Sequence, residues 1–226
     1  MQLALDINYQ EHQTFDNFCW HGNEILRNEL NLSLSSEGER FFYIWGGAGG
    51  GKSHILQAIT QKAGVNAIYL PMGQLLDYGQ EVFEGMEQLD IICLDDLESI
   101  ANQPDLEVAL FHLYNRVRDN GHTRLFISGQ FPIKHLSITL ADLRSRIAWG
   151  LVFHLQELSE QDKLVVLAQQ AEGKGMSLPA SVSQYLLTHC ARDMHQLKEI
   201  IEKLDKASLA AQRKLTIPFI KQTLDL

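Results

Sequence analysis

Residues 41–53 read Phe41-Phe42-Tyr43-Ile44-Trp45-Gly46-Gly47-Ala48-Gly49-Gly50-Gly51-Lys52-Ser53, and this stretch decides the fold. Five apolar or aromatic residues predict a buried strand, and a glycine-rich turn follows. Lys52 and Ser53 then open a helix whose apolar positions are Ile55, Leu56 and Ile59. Gly46, Gly51, Lys52 and Ser53 match the phosphate-binding pattern Gly-x-x-x-x-Gly-Lys-Ser/Thr, in the strand–loop–helix setting that the pattern requires. Glycines let successive backbone N–H groups curl around a phosphate without Cβ clashes, and the helix N-terminus adds a positive partial charge. Lys52 is placed to reach the β- and γ-phosphates, and the Ser53 hydroxyl to ligate Mg2+. A glycine-rich turn that binds nothing is the plainer alternative; the flanking strand and helix argue against it.

Composition bounds the rest. A chain of 226 residues supports one core of ordinary size, or a main domain with a smaller satellite. Hydrophobic content of 45% with 21% charged residues is that of a globular protein. A formal charge of -9 speaks against strong direct DNA binding, since neutralising phosphates needs an excess of Lys and Arg. Cys19, Cys93 and Cys190 are odd in number, far apart and without C-x-x-C spacing, as expected of free thiols in a reducing compartment. No basic segment leads into an apolar run at the N-terminus, and no apolar stretch reaches the about 18 residues a membrane span needs. A cytoplasmic location without membrane attachment is expected.

Outward from the phosphate loop, Leu3, Leu5 and Ile7 alternate in an extended pattern, and the polar residues 8–14 follow as a tether. Three readings stay open for this segment: a strand on the protein's own surface, a tail without fixed structure, or a linear motif with Gln2 and the alternate apolar residues entering a partner's pockets. Asn23 is placed to cap an amphipathic helix ending near Leu30. Further strands are predicted over 67–71, 89–96, 123–128 and 151–155. They alternate with a helix running from Pro104 to Gly121 and a short one over 140–147. Strands alternating with helices imply an α/β fold with a five-stranded parallel sheet. After Leu158 the pattern turns helical. Ser159 caps a helix bearing Leu164, Leu167, Ala168 and Ala171, and a second runs from Leu178-Pro179 to about Ala191. Asp193 and Gln196 form a capping box for a third, with Leu197, Ile200, Ile201 and Leu204 on one face, and a last short helix starts at Thr216. The expected division is an N-terminal motif and tether over 1–14, a nucleotide-binding α/β subdomain over 15–157 and a C-terminal helical lid over 158–226.

Ile91-Ile92-Cys93-Leu94-Asp95-Asp96 is an apolar strand ending in two acids. At the carboxyl end of a strand beside a phosphate loop, Asp95 would hold Mg2+ and Asp96 would orient an attacking water. Glu98 reads as a surface carboxylate rather than a catalytic one.

Residues 46–54, then Leu94-Asp95-Asp96-Leu97-Glu98, then Leu110-Phe111-His112-Leu113-Tyr114-Asn115-Arg116 together resemble the AAA+ ATPases of the bacterial replication-initiator clade, the DnaA type, in which Asp-Asp replaces the usual Asp-Glu. Asp142-Leu143-Arg144-Ser145-Arg146-Ile147-Ala148-Trp149-Gly150 is similar to that clade's arginine-finger segment. The resemblance covers essentially the whole chain but does not extend to the initiator's DNA-binding helix-turn-helix domain or its helicase-interaction domain. A AAA+ module behind Gln2-Leu3-Ala4-Leu5-Asp6-Ile7, with residues 211–219 at its end, is similar to the clade's small regulators. Their Gln-Leu-x-Leu motif docks on the DNA polymerase III β sliding clamp.

The resemblance implies clamp contacts at Gln2, Leu3, Leu5 and Ile7, with Asp6 where Pro is common. It implies ADP or ATP with Mg2+ as cofactors, held by Gly46, Gly47, Ala48, Gly49, Gly50, Gly51, Lys52, Ser53, His54 and His195, with Ser53 and Asp95 toward the metal. His195 stands where the sensor-2 Arg is usual, and Ser128 and Gln130 are the sensor-1 candidates. Arg146 would be an arginine finger acting in trans on ATP bound to DnaA, with Arg144 supporting the interface and Asp96 as the second catalytic residue. The implied role is inactivation of DnaA against re-initiation, with weak intrinsic ATPase activity and a homo-oligomer as a resting form. A salt bridge at the sheet end is the alternative for Arg146, and a helix-surface histidine for His195. A helicase-loading ATPase is the alternative for the whole chain; an orphan P-loop kinase is disfavoured by Asp95-Asp96 and the helical lid.

Overall fold

Alternate residues of the central strands enter two different cores, which is why these strands are apolar throughout. The computed structural model describes residues 13–190 and 194–224; Gln2, Leu3, Leu5 and Ile7, and Asp193 as a helix cap, lie outside the described residues. In chain order the elements are α1 (Glu24–Leu34), β1 (Phe41–Trp45), α2 (Lys52–Ala63), β2 (Ala67–Pro71), β3 (Ile91–Asp95), α3 (Pro104–Asn120), β4 (Arg124–Gly129), α4 (Ala141–Ile147), β5 (Leu151–His154), α5 (Glu160–Gly173), α6 (Ala180–His189), α7 (Met194–Ala211) and α8 (Ile217–Leu224). The five strands form one parallel sheet in the order β2-β3-β4-β1-β5. Contacts divide the chain into two units, one comprising the described residues up to Gly47 with Gly51–Gln156, the other running from Glu157 onward together with Ala48–Gly50.

In the first unit, Phe41, Tyr43, Ile92, Leu94, Leu125 and Ile127 face the core built with α3 and α4. Phe42, Ile44, Ile91, Cys93 and Phe126 face the core built with α1 and α2. Phe42 stacks on Phe126 at a centroid distance of 5.0 Å. Burial pushes the Cys93 thiol up to about 12, so it behaves as a small apolar core residue. β5 is an edge strand whose alternate residues are half-buried and exposed.

Three details differ from the sequence-based expectation. Asn23 precedes α1 but makes no side-chain cap bond. Its carboxamide oxygen instead accepts from the Gln156 N–H at 2.9 Å, because that backbone group ends the sheet without a ladder partner. The third strand starts at Ile91 rather than Leu89, since the Leu89 N–H turns back to Met86 O at 3.0 Å. On α5, Leu167 and Ala171 are buried with Val166, whereas Ala168 is exposed. Between β2 and β3 lie three 3-10 turns (Met72–Asp77, Gln80–Phe83 and Met86–Gln88) that carry Met72, Leu75, Val82, Phe83 and Met86 into the first core.

One buried carboxylate fixes the approach to α4. Glu107, on α3, is 0% exposed. It accepts from the N–H groups of Asn102 (3.1 Å), Thr139 (2.9 Å) and Leu140 (2.8 Å) and from the Thr139 hydroxyl (2.7 Å). Burial works to raise its pKa, but the hydrogen bonds from the Thr139 hydroxyl and the three N–H groups outweigh it and hold the carboxyl below its ordinary value of 4.5.

The second unit is helical. Ser159 and Asp162 form a capping box at the start of α5, and Leu167, Val182, Leu186, Leu197, Ile201, Leu204 and Phe219 make its core. Among the described residues no helix is long and apolar enough to cross a membrane.

Glu107→Gln is expected to lower the unfolding free energy by about 2 kcal/mol at neutral pH, because an ionised acceptor is lost to buried donors. A carboxyl depressed in the folded state contributes stability above its unfolded value and loses it as pH falls through the folded value. The gap to wild type should therefore shrink below pH 4.5. Urea titrations of both proteins across that range measure it; a gap constant with pH would show that the charge is not the anchor.

Candidate functional site

Parallel register brings the ends of β1, β3 and β4 into one row. Trp45 pairs with Gly129, and the Gly46 N–H donates to Gly129 O at 3.1 Å, so the phosphate loop leaves the sheet beside the end of β4. Gly51, immediately before α2, has φ +97°, and a Cβ there would lie 2.7 Å from Phe18 Cε2. Both the backbone angle and the space require glycine. Lys52 is only 6% exposed, and its ammonium donates to the carbonyls of Gly46 and Gly47, both at 2.9 Å. Among the described residues it makes no ion pair. A buried cation bonded only to neutral carbonyls is a group suited to an anion. His54 Nε2 lies 2.9 Å from both Thr14 O and Asn17 Oδ1, and Phe18 sets its ring edge-on to His54 with centroids 5.2 Å apart. Residues 14–18 are thereby laid on the first turn of α2.

The two acids behave differently. Asp95 is 2% exposed; it accepts from the Tyr69 hydroxyl at 2.6 Å and from the Ser128 hydroxyl. Side chains of Ser53 and Gln57 hydrogen-bond the same Tyr69 hydroxyl, so Tyr69 links Ser53 to Asp95. Burial, reinforced by the Asp95 charge, pushes the Tyr69 phenol up and keeps it a donor. Asp96 follows with φ +59°, an uncommon angle for a residue with a Cβ, and its N–H donates to Ser128 Oγ at 3.0 Å. The turn directs Asp96 outward while Asp95 stays buried. Partial desolvation, then the charge of Asp95, pushes the Asp96 carboxyl above its ordinary value; Lys52 pulls it down and Glu98 adds to the rise.

Of the sensor-1 candidates, Ser128 is fully buried and joins both acids, whereas Gln130 is exposed and enters through its backbone N–H, which donates to Glu98 Oε1. Glu98 is therefore half-buried and tied to the end of β4 rather than a free surface carboxylate. Tyr69 and Glu98 are what sequence reading missed. Tyr69 sits inside an apolar strand and reads as core, and only the pairing of β2 with β3 aims its hydroxyl at an acid.

Arg146 lies elsewhere. It closes α4, its guanidinium carbon 4.0 Å from the Trp149 ring centroid and 5.9 Å from that of Phe111. Among the described residues it has no carboxylate partner. A Cβ on Gly150 would lie 2.2 Å from Phe41 O, which sets this segment against the first residue of β1, whereas the phosphate loop follows the last. Lys52, Ser53, Asp95, Asp96 and Ser128 are thus brought together at the carboxyl ends of the strands, and Arg146 stands at the opposite end of the sheet. Gly47 belongs to the first unit; Ala48, Gly49 and Gly50 group with the second, as does His195 in the first turn of α7.

The donor set fits a magnesium nucleotide. Ser53 and Asp95 offer hard oxygens that would hold the ion, with phosphate oxygens and water as its other ligands. Among the described residues no three His, Cys, Asp or Glu side chains cluster as an all-protein metal cage.

A parallel sheet in this order, a phosphate loop after β1 and paired acids closing β3, followed by a helical unit, define a AAA+ module. The family model described as "Hda, lid domain" matches residues 160–224, and that described as "Bacterial DnaA ATPAse domain" matches residues 76–154. An uncharacterized protein of Haemophilus influenzae is 40% identical over 228 residues, covering 100% of this chain and 99% of that one. Among solved structures, domain III of the Thermotoga maritima replication initiation protein DnaA superposes with a TM-score of 0.83 at 22% identity, covering 97% of this chain and 98% of that one. AMPPCP-bound DnaA from Aquifex aeolicus gives 0.71 at 20% identity, covering 89% and 67%. The chain belongs to the Hda/DnaA clade of AAA+ proteins.

Gly51→Ala should lower stability by about 1–2 kcal/mol from the left-handed backbone alone, and more if Phe18 cannot move aside. Urea denaturation against Gly175→Ala, which shares a positive φ but meets nothing within 4 Å, isolates the contribution of Phe18. Equal losses in the two variants would show that Phe18 yields freely.

Proposed function

We propose that this chain is an Hda-like regulatory inactivator of DnaA: a nucleotide-bound adaptor that docks on the DNA polymerase III β sliding clamp and stimulates hydrolysis of DnaA-bound ATP through Arg146. The observation that carries the reading is the position of Arg146. Its guanidinium is unpaired with any described carboxylate and stands at the end of the sheet away from the chain's own phosphate loop. There it can serve only a second molecule's nucleotide. A guanidinium supplied across an interface stabilises the charge spread over the transferring phosphoryl oxygens.

The chain's own site holds ADP or ATP in this reading. Gly46 to Ser53 cradle the phosphates, Lys52 gives up carbonyl bonds for phosphate ones, and Ser53 and Asp95 hold Mg2+. The bound ion would neutralise phosphate charge; Asp96 would orient water, and Ser128 would report the state of Asp95 to the end of β4. His54 joins the nucleotide site through the first turn of α2. His195, in place of an arginine, supplies no permanent charge toward a γ-phosphate, so intrinsic turnover is slow and the nucleotide acts as a switch. Gln2, Leu3, Leu5 and Ile7 are the clamp contacts, on a tether over 1–14; 15–157 is the nucleotide-binding subdomain and 158–226 the lid. A homo-oligomer that hides Arg146 in a neighbour's site is the resting form, and the protein works in the cytoplasm.

The test is the rate at which DnaA-bound ATP is hydrolysed in the presence of clamp loaded on DNA. Arg146→Ala should lower the stimulated rate by about 10³-fold. Replacing Gln2 and Leu3 by Ala should abolish the dependence on clamp while leaving the fold intact. If neither change lowers the rate, the adaptor reading fails. The isolated chain should turn ATP over slowly; rapid turnover would instead favour the helicase-loading ATPase.

A further inference from the structure

Trp149 is 60% exposed, an unusual position for the largest apolar side chain unless its face is in use. Its ring carries the Arg146 guanidinium at 4.0 Å, within the range of a close cation–π contact, and the Arg118 guanidinium at 6.0 Å. The arrangement is built from the backbone outward. After α4 the chain turns so that the Trp149 N–H donates to Arg146 O at 3.0 Å, returning the indole to the side chain one turn earlier. The next residue, Gly150, is pinned so closely on Phe41 that any Cβ would meet the Phe41 carbonyl oxygen at 2.2 Å. The strand thus fixes Gly150, Gly150 fixes the backbone of Trp149, and the indole supports Arg146.

A carboxylate in the same place would orient Arg146 equally well but would neutralise it and compete with a phosphate. An aromatic face orients a guanidinium without consuming its charge or its N–H donors, all of which remain available in the ring plane. Arg118, close to the same ring, is engaged by the neighbouring Asp119 at 2.9 Å and leaves Arg146 the unneutralised cation of the group.

We propose that Trp149 is a positioning residue that holds the Arg146 guanidinium pre-oriented and fully charged for the partner's phosphates, with Gly150 as the backbone pin that sets the indole. The inference rests on the arginine-finger reading above. Pre-orientation lowers the ordering needed in the transition state, so its loss lowers the maximal stimulated rate and leaves the concentration for half-maximal stimulation unchanged.

The experiment compares Trp149→Leu, Trp149→Phe and Arg146→Ala in the DnaA-bound ATP hydrolysis assay with DNA-loaded clamp, titrating the full chain. Trp149→Leu keeps apolar bulk but has no π face; it should lower the maximal rate about 3- to 30-fold with the half-saturating concentration unchanged, and Trp149→Phe should recover most of the loss. In chain labelled with 5-fluorotryptophan, the resonance assigned through Trp149→Phe should shift in Arg146→Ala in the absence of any partner. A Trp149→Leu rate equal to wild type, a change confined to half-saturation, failure of Phe to rescue, or an unmoved fluorine resonance each overturns the proposal while the finger reading stands. If Arg146→Ala leaves the rate unchanged, the finger reading itself fails and the positioning role falls with it.

Discussion

Parallel alignment of β1, β3 and β4 is the constraint on which the rest depends. Because Trp45 lies opposite Gly129 and β3 runs beside β4 in step, the loop after β1, the acids after β3 and Ser128 near the end of β4 open at the same edge. A one-residue slip of β3 would turn Asp95 to the opposite face and break its bonds to Tyr69 and Ser128. The two-sided core prevents that slip: Ile92 and Leu94 belong to one hydrophobic cluster and Ile91 and Cys93 to the other. Register is thus enforced by burial on both faces of the sheet.

Within that frame the site separates three charges by environment. Lys52 is buried among carbonyls, Asp95 is buried among hydroxyl donors, and Asp96 is turned outward on a left-handed residue with its carboxyl pushed upward. Hydroxyl donors keep the buried carboxylate satisfied without a permanent counter-charge, while the Lys52 ammonium is met by carbonyls. Glu107 solves a similar problem outside the site. Its buried charge is met by backbone N–H groups of the segment entering α4, so the position of Arg146 is set from α3 as well as from β1.

Legibility followed the range of the interactions. Strand β1, the glycine loop and α2 are legible because their determinants are local: an unbroken apolar run, glycine where φ is positive, and a lysine at a helix start. The 3-10 turns between β2 and β3 are not, since Gly73, Gly79 and Gly85 interrupt any periodicity while Met72, Leu75 and Phe83 are buried by distant elements, the turn Leu97–Ile100, β2 and α3. Asn23 looked like a cap by its neighbours, yet the backbone N–H of Gln156, 133 residues away, donates to its oxygen.

By itself the sequence determined the alternation of strands and helices, the phosphate loop and the acid pair, because each is written in neighbouring residues whose chemistry needs no distant partner. Tertiary structure decided which side chains complete them. Tyr69 reaches Asp95 across 26 residues, and Ser128 reaches the same carboxylate across 33, both through sheet pairing. Arg146 stands out in the sequence as a motif residue, but only the fold gives its place, at the far end of the strands from Lys52 with its guanidinium over the Trp149 ring.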